Sequence, residues 1–289
     1  MLTIGQFDIV SIQTGTFRLD GGAMFGVVPK VLWSSRDEPD EQNRILLATR
    51  TLVAASRDRR HVILVDTGCG TKWTADEAAR FDIRHDGDAV AKGLDEHFGL
   101  SLGDVTDVIV THFHFDHNGG LTEWEGEPGG ETRPCFPNAK HWIHREHWRH
   151  VHQPTDKDRA SFLERDFDVL EAAGLLTFVE GDDPASPWDG VGFFVSRGHT
   201  VCQLLPVFHG DGRELLFTGD VFPTTSHLRI PWVMAYDLEP LKTIAEKKRI
   251  LGWCAERDTW LAFPHDHRMA GVRMDMTAGR ATVAESLDL

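Results

Sequence analysis

Apolar and polar residues alternate along the first third of the chain with the period of two that half-buried strands show. Three runs carry this pattern: FDIVSIQTGTFRL, RILLATRTLVAAS and HVILVDTG. The period then lengthens to that of an amphipathic helix, which we expect to begin at Asp88 and to end at Gly99. The apolar run VTDVIV, which follows this helix, predicts a buried strand.

A second series of strand-like runs fills the C-terminal half of the chain. Its members are GLLTFVE, VGFFVS, VCQLLPVF, RELLFTGD and TWLAF. Another helix is expected to begin near Asp237, with apolar side chains such as Leu251 along one side. Two series of strands accompanied by helices predict an α/β fold in which two sheets pack face to face with helices outside. Residues 1–289 show no linker and no internal repeat, so we expect a single domain.

The segment from about 144 to 173 has a predominantly helical pattern, interrupted at Pro154, and we interpret it as a helical insertion. Its apolar stripe consists of Phe162, Leu163, Phe167 and Leu170. Such a stripe predicts either a lid or a contact between two copies of the chain, and we expect a homodimer. His144, His147 and His150 share one helical face, which we interpret as a solvated or interface helix rather than a second metal site.

Composition restricts the function more than it restricts the fold. With 30 Lys and Arg against 45 Asp and Glu, the formal net charge of −15 opposes binding to nucleic acid and to anionic membranes. The N-terminus lacks a secretory signal, and no stretch approaches the roughly 20 apolar residues that span a bilayer. A cytoplasmic location without a membrane partner is therefore expected. The four cysteines are widely spaced, so they predict neither a thiolate zinc site nor a disulfide framework.

Candidate chemistry is concentrated in THFHFDHNGG, directly after the predicted strand VTDVIV. Alternate residues of an extended chain face the same way, so His112 and His114 can bind one ion. Asp116 and His117 lie beyond the expected bend, where they can bind a second ion. Imidazole together with carboxylate suits zinc, and also iron, manganese or cobalt; zinc is the expected metal.

Three later strand-like runs end in further candidate ligands, which are His199, Asp220 and His265. Asp220 is suited to bridge two ions, because a carboxylate has two oxygens and ions about 3.5 to 4 Å apart can share it. We therefore expect two divalent ions and a small-molecule substrate.

In this order, the H-x-H-x-D-H motif, the Gly-His-Thr and Thr-Gly-Asp strand ends and the late histidine resemble the metallo-β-lactamase superfamily of hydrolases, over residues 45–267. The resemblance implies an αββα sandwich with a dinuclear site at one edge. The implied ligands are His112, His114 and His199 for the first metal, Asp116, His117 and His265 for the second, and Asp220 for both. The family's last histidine directly follows its strand, which favours His265 over His267. Asp66 in LVDTG matches an early aspartate with a supporting or turn-forming role.

Within the superfamily, GGAMFGVVPK, the insertion and TGDVFPTTSH most resemble the quorum-quenching lactonase and methyl-parathion-hydrolase-like branch. This implies hydrolysis of a lactone or ester, such as an acyl-homoserine lactone, with side activity on phosphotriesters or aryl esters. True β-lactamases have cysteine at the place of Asp220, which argues against that activity. Two positions depart from many lactonases: Pro223 replaces a tyrosine that polarises the carbonyl, and Gln203 replaces a second histidine.

The expected mechanism is attack by a hydroxide that bridges the two ions, since two cations lower the pKa of water toward about 7. Asp116 would carry a proton to the leaving alkoxide, and Asp220 would act by holding both ions. The candidates for an apolar substrate wall are Met24, Phe25, Trp33, Phe115, Phe222 and Trp232.

Three alternative functions remain open, one of which is a non-catalytic metal-binding or interaction protein that the complete ligand set disfavours. A thioester hydrolase of glyoxalase II type would need a cationic patch for its anionic substrate, and the ligand motifs have no evident Lys or Arg cluster beside them. A di-iron redox protein of this superfamily would have glutamate at the position of His114 and a flavin domain. The chain shows neither feature, so hydrolysis is the preferred prediction.

Overall fold

The computed structural model describes residues 1–257, 259–277 and 280–287. Its strands are β1 (Leu2–Ile4), β2 (Phe7–Asp20), β3 (Arg44–Ser56), β4 (Val62–Val65), β5 (Arg84–His85), β6 (Asp107–Ile109), β7 (Thr122–Trp124), β8 (Thr132–Pro134), β9 (Lys140–His144), β10 (Leu176–Val179), β11 (Val191–Ser196), β12 (Gln203–Gly210), β13 (Arg213–Phe217), β14 (Thr259–Ala262), β15 (Gly271–Thr277) and β16 (Arg280–Leu287). Its α-helices are α1 (Gly21–Phe25), α2 (Lys30–Trp33), α3 (Ala75–Phe81), α4 (Ala89–Phe98), α5 (Phe115–Asn118), α6 (Arg145–Val151), α7 (Asp168–Ala172) and α8 (Pro240–Ala255).

Two large mixed sheets form the body of the molecule. The first has the order β1-β2-β3-β4-β6-β9-β10, with β5 paired to β2, and its β4, β6, β9 and β10 run parallel. The second has the order β11-β12-β13-β14-β15-β16, in which β13 and β14 are parallel and the other pairs antiparallel. A separate small hairpin joins β7 and β8.

The two sheets pack face to face because alternate residues of their strands are apolar on both sides. On β2, Ile9 points into the core between the sheets, where it joins Phe208 of β12. The neighbouring Val10 points outward and packs in the same cluster as Leu94 of α4. On the far side, Val207 of β12 packs in the cluster that includes residues of α8. The order of layers is therefore helix, sheet, sheet, helix, and the predicted αββα sandwich is confirmed.

Helix α8 begins later than the sequence pattern predicted. Pro240 occupies the first turn, where its missing N–H costs no hydrogen bond and its fixed φ favours a helix start. Asp237 lies three residues before this helix and accepts a hydrogen bond from His199 Nδ1 instead. Leu241 is 80% exposed, while Leu251 is buried as expected.

The segment from 144 to 173 is less helical than predicted. It contains only α6, two single turns of 3₁₀-helix at Arg159–Ser161 and Glu164–Asp166, and α7. The Asp158 carboxylate accepts hydrogen bonds from the backbone N–H and the hydroxyl of Thr155, and such local bonds compete with helix formation. Phe162 and the other members of the stripe are buried or partly buried within the same chain. In the described part of the chain, no helix has the length and apolar character needed to cross a bilayer.

Candidate metal centre

The candidate ligands lie at the carboxyl ends of strands from both sheets. His112 and His114 follow β6 of the first sheet, and His199 follows β11 of the second. Asp220 lies in a 3₁₀ turn directly after β13, and His265 follows β14. Because these strand ends meet at one edge of the sandwich, side chains far apart in sequence face one another there. All seven predicted ligands are brought together at this edge.

Three histidines form one half of the centre, which we call the three-histidine half: His112, His114 and His199. His114 Nδ1 lies 3.0 Å from His112 Nε2 and 3.1 Å from His199 Nε2. Asp220 completes this group, with Oδ2 3.2 Å from His199 Nε2. All four side chains are buried.

Asp116, His117 and His265 form the other half, which we call the carboxylate half. The Nε2 atoms of His117 and His265 are 3.0 Å apart, and Asp116 Oδ2 lies 3.4 Å from His265 Nε2. Asp220 Oδ1 lies 3.2 Å from His117 Nε2 and 3.3 Å from His265 Nε2. One carboxylate, that of Asp220, therefore faces both halves with a different oxygen.

The geometry of the carboxylate half fits a bound cation. His265 Nδ1 faces the carbonyl of Ala48 at 2.9 Å, and His117 Nδ1 faces the carboxylate of Asp66 at 2.7 Å, so each Nδ1 carries a proton. In the neutral rings the two Nε2 lone pairs then point at each other across 3.0 Å. A cation between them removes this repulsion. Nitrogen atoms bound to one tetrahedral zinc ion lie about 3.3 Å apart, close to the separations found here.

The carboxylates of Asp66 and Asp237 orient two of the candidate ligand histidines by binding the ring nitrogen Nδ1. Asp66 was expected to support the site, and it accepts hydrogen bonds from the Thr111 hydroxyl and backbone N–H as well as from His117. Asp237, which sequence analysis assigned to a helix start, accepts from His199 Nδ1 at 3.0 Å. Such partners fix the ring tautomer and raise ligand basicity. No local pattern marks Asp237 for this role, because its partner lies 38 residues away.

Gln203, one of the two departures from the lactonase pattern, contacts the centre directly. Its Nε2 lies 3.0 Å from His112 Nδ1, and the Thr111 hydroxyl lies 2.9 Å from the same atom. Gln203 Oε1 is buried without a partner in the described residues. Rotation of the amide by 180° would let Oε1 accept a proton from His112 Nδ1, which is the tautomer that leaves Nε2 free for an ion.

The centre has opposite effects on the protonation of His112 and His117. Burial, together with His117, His114 and His199, holds the pKa of His112 well below its usual range. Burial also lowers the pKa of His117, but the carboxylates of Asp220, Asp66 and Asp116 outweigh it and the pKa lies well above its usual range. The carboxylate half thus already favours a positive charge at the position where an ion would bind.

Two glycines allow the ligand loops to take their positions. A Cβ on Gly198 would lie 2.4 Å from the Thr243 hydroxyl of α8, so only glycine permits this approach directly before His199. Gly219 has φ +46°, and a Cβ there would lie 2.8 Å from Leu205. Asp220 follows Gly219 immediately, so its orientation depends on this backbone.

Five of the six predicted wall residues lie in one buried apolar cluster: Met24, Phe25, Trp33, Phe115 and Trp232. The cluster includes Phe17, which lies edge-on to His265 with ring centroids 5.3 Å apart. Phe222 packs elsewhere, among residues of β12, β13 and α8, and is fully buried. The structure therefore does not place Phe222 with the other wall candidates. Met24, Phe25 and Trp33 are core residues as fully buried as Phe222, so of the six only Phe115 and Trp232 keep exposed surface. Phe17 was missed because its aromatic side chain resembles any core residue of β2.

The segment that follows α6 covers the three-histidine half. The Phe162 ring lies 5.0 Å from that of His114, whose Nε2 has no hydrogen-bond partner in the described residues. Lys157 Nζ donates to the carbonyl of Asp237, which ties the same segment to the loop behind His199. The apolar stripe predicted either a lid or a contact between two copies of the chain, and the position of Phe162 favours the lid.

The histidines of α6 are not solvated, so the interpretation of α6 as a solvated helix was wrong. His144 and His147 are fully buried, and His150 Nε2 contacts the Asp158 carboxylate at 2.6 Å. His144 Nδ1 accepts a hydrogen bond from the backbone N–H of Glu146 and so caps the helix. Each imidazole therefore has its own partner, which the shared helical face could not reveal.

Tyr236 is the only tyrosine of the chain and is 36% exposed. The backbone N–H of Ala235 donates to the carbonyl of Ala23, which precedes the wall candidate Met24, and Asp237 directly follows Tyr236. Burial raises the pKa of Tyr236 to about 12, and the carboxylates of Asp116 and Asp20 add to this effect. Tyr236 is therefore a protonated phenol near Asp116.

A sequence model of the metallo-β-lactamase superfamily matches residues 51–276, most of the chain. The match includes all seven candidate ligands as well as Asp66 and Asp237. No curated protein matches the chain.

Solved structures share the fold over nearly the whole chain. A probable metal-dependent hydrolase from Staphylococcus aureus is 28% identical, with a TM-score of 0.86 over 99% of this chain and 100% of the other. AidC, a dizinc quorum-quenching lactonase solved with a product, is 17% identical, with a TM-score of 0.78 over 100% of this chain and 97% of its own. An N-acyl homoserine lactone hydrolase with N-hexanoyl-L-homoserine at its catalytic metal centre is 18% identical, with a TM-score of 0.66 over 92% and 95% of the two chains.

Proposed function

Since the chain belongs to the metallo-β-lactamase superfamily and is a metal-dependent hydrolase, we propose that it uses two divalent ions to hydrolyse small-molecule lactones or esters. The observation that carries this proposal is the shared carboxylate of Asp220, which faces two separate groups of ligands with its two oxygens. A single-ion site would leave one of the two groups without a function.

The three-histidine half would hold one ion and the carboxylate half the other, with Asp220 common to both. When bound, two such ions supply Lewis acidity and bring the pKa of a shared water toward about 7. We propose zinc, because imidazole and carboxylate ligands suit it; iron, manganese and cobalt fit the same ligand types.

Asp116 and Tyr236 are the residues proposed to handle protons and charge on the substrate. Asp116 lies at the edge of the carboxylate half, where its carboxylate can take a proton and deliver it to the leaving alkoxide. Tyr236 remains protonated at neutral pH and can donate a hydrogen bond to the substrate carbonyl. It would thereby replace the tyrosine that the sequence lacks at Pro223.

Phe115 and Trp232, which keep 9% and 6% exposure next to the buried Met24, Phe25 and Trp33, support an acyl substrate. An apolar surface beside polar groups binds an alkyl chain while the polar groups orient the carbonyl. We therefore propose acyl-homoserine lactones as the substrate class, with side activity on aryl esters and phosphotriesters. Two neighbouring structures, AidC and the N-acyl homoserine lactone hydrolase, support the same choice through their fold. Quorum quenching would be the biological consequence.

A second candidate, hydrolysis of an anionic thioester, is favoured by one observation that the sequence did not suggest. The guanidinium groups of Arg36 and Arg229 lie 6.0 and 4.9 Å from the ring of Trp232, a wall residue. Neither arginine forms an ion pair within the described residues. Their charges suit a carboxylate on the substrate, as glutathione thioesters have.

The deciding experiment combines metal analysis with a panel of substrates: an acyl-homoserine lactone, an aryl ester, a paraoxon-like triester and S-lactoylglutathione. We expect two equivalents of metal and the highest kcat/KM on the lactone. The double variant His112→Ala, His114→Ala should lose both metal and turnover. Full activity in that variant would refute the proposal, and a preference for S-lactoylglutathione would establish the second candidate.

We further propose a cytoplasmic homodimer that consists of one domain per chain and binds neither nucleic acid nor membrane. The net charge of −15 supports the last two points. Sedimentation at micromolar concentration tests the dimer, and a single monomeric species would refute it.

A further inference from the structure

One fully buried histidine outside the ligand set connects two of the ligand loops. His147 lies in α6, and its Nε2 accepts a hydrogen bond from the backbone N–H of Phe113 at 2.9 Å. Its Nδ1 lies 2.7 Å from the backbone carbonyl of Val201. Phe113 stands between His112 and His114, and Val201 follows His199 by two residues. One imidazole ring therefore spans the loops that supply all three nitrogens of the three-histidine half.

The two bonds determine the protonation state of this ring. An amide N–H can only donate and a carbonyl can only accept, so Nε2 must be unprotonated and Nδ1 must carry the proton. An imidazolium could not accept from Phe113. The environment agrees with this assignment, because burial lowers the pKa of His147 to about 3, with a smaller contribution from His150.

The connection matters because the two loops belong to different sheets. The loop with His112 and His114 leaves β6, whereas the loop with His199 joins β11 to β12. The described backbone contributes one further link, from Leu204 N to Thr111 O at 2.9 Å. The separation of 3.1 Å between His114 Nδ1 and His199 Nε2 depends on how these loops are held relative to each other.

Helix α6 holds the His147 ring in place. His144 caps the helix at its start, and the ring of Phe113 lies parallel to that of His147, with an interplanar angle of 9° and centroids 6.1 Å apart. Phe162 closes another side, with ring centroids 6.0 Å apart. The imidazole is therefore fixed by packing as well as by its two hydrogen bonds.

We propose that His147 is a positioning residue that sets the distance between the His112–His114 loop and the His199 loop, and thereby the metal affinity of the three-histidine half. The inference rests on the proposed function only in taking that half as an ion site. Supporting groups of this kind typically contribute about 10- to 100-fold to metal affinity. The effect should be larger for this ion than for the other, because the two hydrogen bonds of His147 go to Phe113 and Val201, which flank ligands of the three-histidine half.

The test compares two substitutions of His147 with a matched control. His147→Leu removes both hydrogen bonds, whereas the amide of His147→Gln offers one acceptor and one donor in their place. His141→Leu is the control, since His141 is also fully buried, its pKa is lowered by burial to about 4, and its ring bonds the local carbonyl of Ala139. Metal affinity is measured by chelator competition, and the ligand field of each half by the absorption spectrum of the cobalt-substituted protein.

We expect His147→Leu to lower the affinity for one of the two ions by about 10- to 100-fold and to change the cobalt spectrum. His147→Gln should recover most of the lost affinity. The control should keep both affinities. Parental affinity in His147→Leu, or an equal loss in the control, would overturn the proposal.

A second measurement covers the case in which His147→Leu does not fold. Nitrogen-15 NMR of the parent protein reports the tautomer of each histidine, and His147 should be neutral with its proton on Nδ1. The other tautomer, or a protonated ring at neutral pH, would also overturn the proposal. If the parent protein binds no divalent ion, the proposed function fails, while the tautomer still decides whether His147 links the loops.

Discussion

The two halves of the centre present similar ligand atoms in opposite electrostatic surroundings. In the three-histidine half, burial and neighbouring imidazoles hold the pKa values of His112 and His114 well below their usual range. In the carboxylate half, the charges of Asp220, Asp66 and Asp116 outweigh burial and raise the pKa of His117. His112 and His114 thus disfavour a positive charge on their rings, whereas His117 favours it. His199 resembles His117, because burial lowers its pKa but the carboxylates of Asp220 and Asp237 outweigh burial and raise it.

The difference indicates how each half would hold an ion. The carboxylate half attracts a cation through negative charge that is already present, and a proton competes with the ion for His117. In the three-histidine half, two of the three rings favour the neutral form, so its affinity depends more on the geometry that His147 and Asp237 maintain. Charge therefore dominates one half and positioning the other.

Removal of the shared charge should have the largest effect, because it abolishes the connection between the halves. Asp220→Asn replaces a carboxylate whose pKa burial raises but His117, His199 and His265 lower more strongly, to well below its usual range. We expect metal binding to fail in both halves and kcat/KM to fall by on the order of a thousandfold or more. Metal content and kcat/KM are the measurements.

Asp266→Asn is the control for this change, since Asp266 is equally buried but bonds to Thr225 and to backbone N–H groups instead of the ligands. It should keep both ions. Loss of only one ion in Asp220→Asn would show that the carboxylate is not shared.

Substitution of the supporting carboxylates separates the halves. Asp66→Asn should lower the affinity of the carboxylate half for its ion by about 10- to 100-fold. Asp237→Asn should lower the affinity of the three-histidine half by a similar factor. Asparagine keeps the size of the side chain, but it has no negative charge with which to stabilise the N–H of the imidazole ring. Stepwise metal titration by calorimetry distinguishes the two losses, and the same ion weakened in both variants would contradict the division into halves.

A smaller effect is expected where Tyr236 lies near the carboxylate half. Tyr236→Phe removes one hydrogen-bond donor, which is worth about 1 kcal/mol, so kcat should fall roughly fivefold. KM and metal content should not change, because the phenol contacts neither ligand loop by a hydrogen bond in the described residues. Steady-state kinetics on the best substrate of the panel test this, and an unchanged kcat would remove Tyr236 from the mechanism.

The metal-free protein should respond to pH with opposite sign through His112 and His117. His112 has a folded-state pKa below its unfolded value of about 6.5, so its contribution is present above about pH 6.5 and lost as the pH falls. His117 has a raised folded-state pKa, so its contribution is present below about pH 6.5 and lost as the pH rises through the folded value.

His112→Gln should therefore reduce the acid-side loss of stability, and His117→Gln the alkaline-side loss, each by up to about 1.4 kcal/mol per pH unit. Urea unfolding of the metal-free variants between about pH 5 and about pH 8 measures both slopes. Parallel pH profiles for the two variants would mean that the halves do not differ in charge.

The sequence allowed the fold to be predicted, and local signals together with the family resemblance named the candidate ligands that the structure brings together. Alternating apolar residues located the long strands β2 and β3, and a compact motif located His112 and His114. The ends of β11, β13 and β14 were recognisable as apolar runs that stop at a polar residue. Each of these features depends on residues that are neighbours in the sequence, so a pattern of period two or a short motif is enough to locate it.

Features that depend on distant contacts could not be predicted. Asp237 and His147 act on loops 38 and 34 residues away, and nothing in their own neighbourhoods indicates this. Phe222 was grouped with Trp232 because both are aromatic residues after Asp220, yet their side chains pack in different clusters. Which face of the sandwich an aromatic side chain joins is decided by tertiary packing, which a linear pattern does not contain.

The cover over the three-histidine half provides the smallest expected effect. Phe162→Ala removes a ring that lies 5.0 Å from that of His114 but donates no ligand atom. Loss of apolar contact with part of a substrate is worth about 1 kcal/mol, so KM for a long-chain lactone should rise several-fold while kcat changes little. Kinetics on a short-chain and a long-chain lactone test this, because only the long chain is expected to reach the ring. An equal rise for both would place Phe162 in support of His114 rather than over the substrate, and the two halves would then differ in charge but not in what covers them.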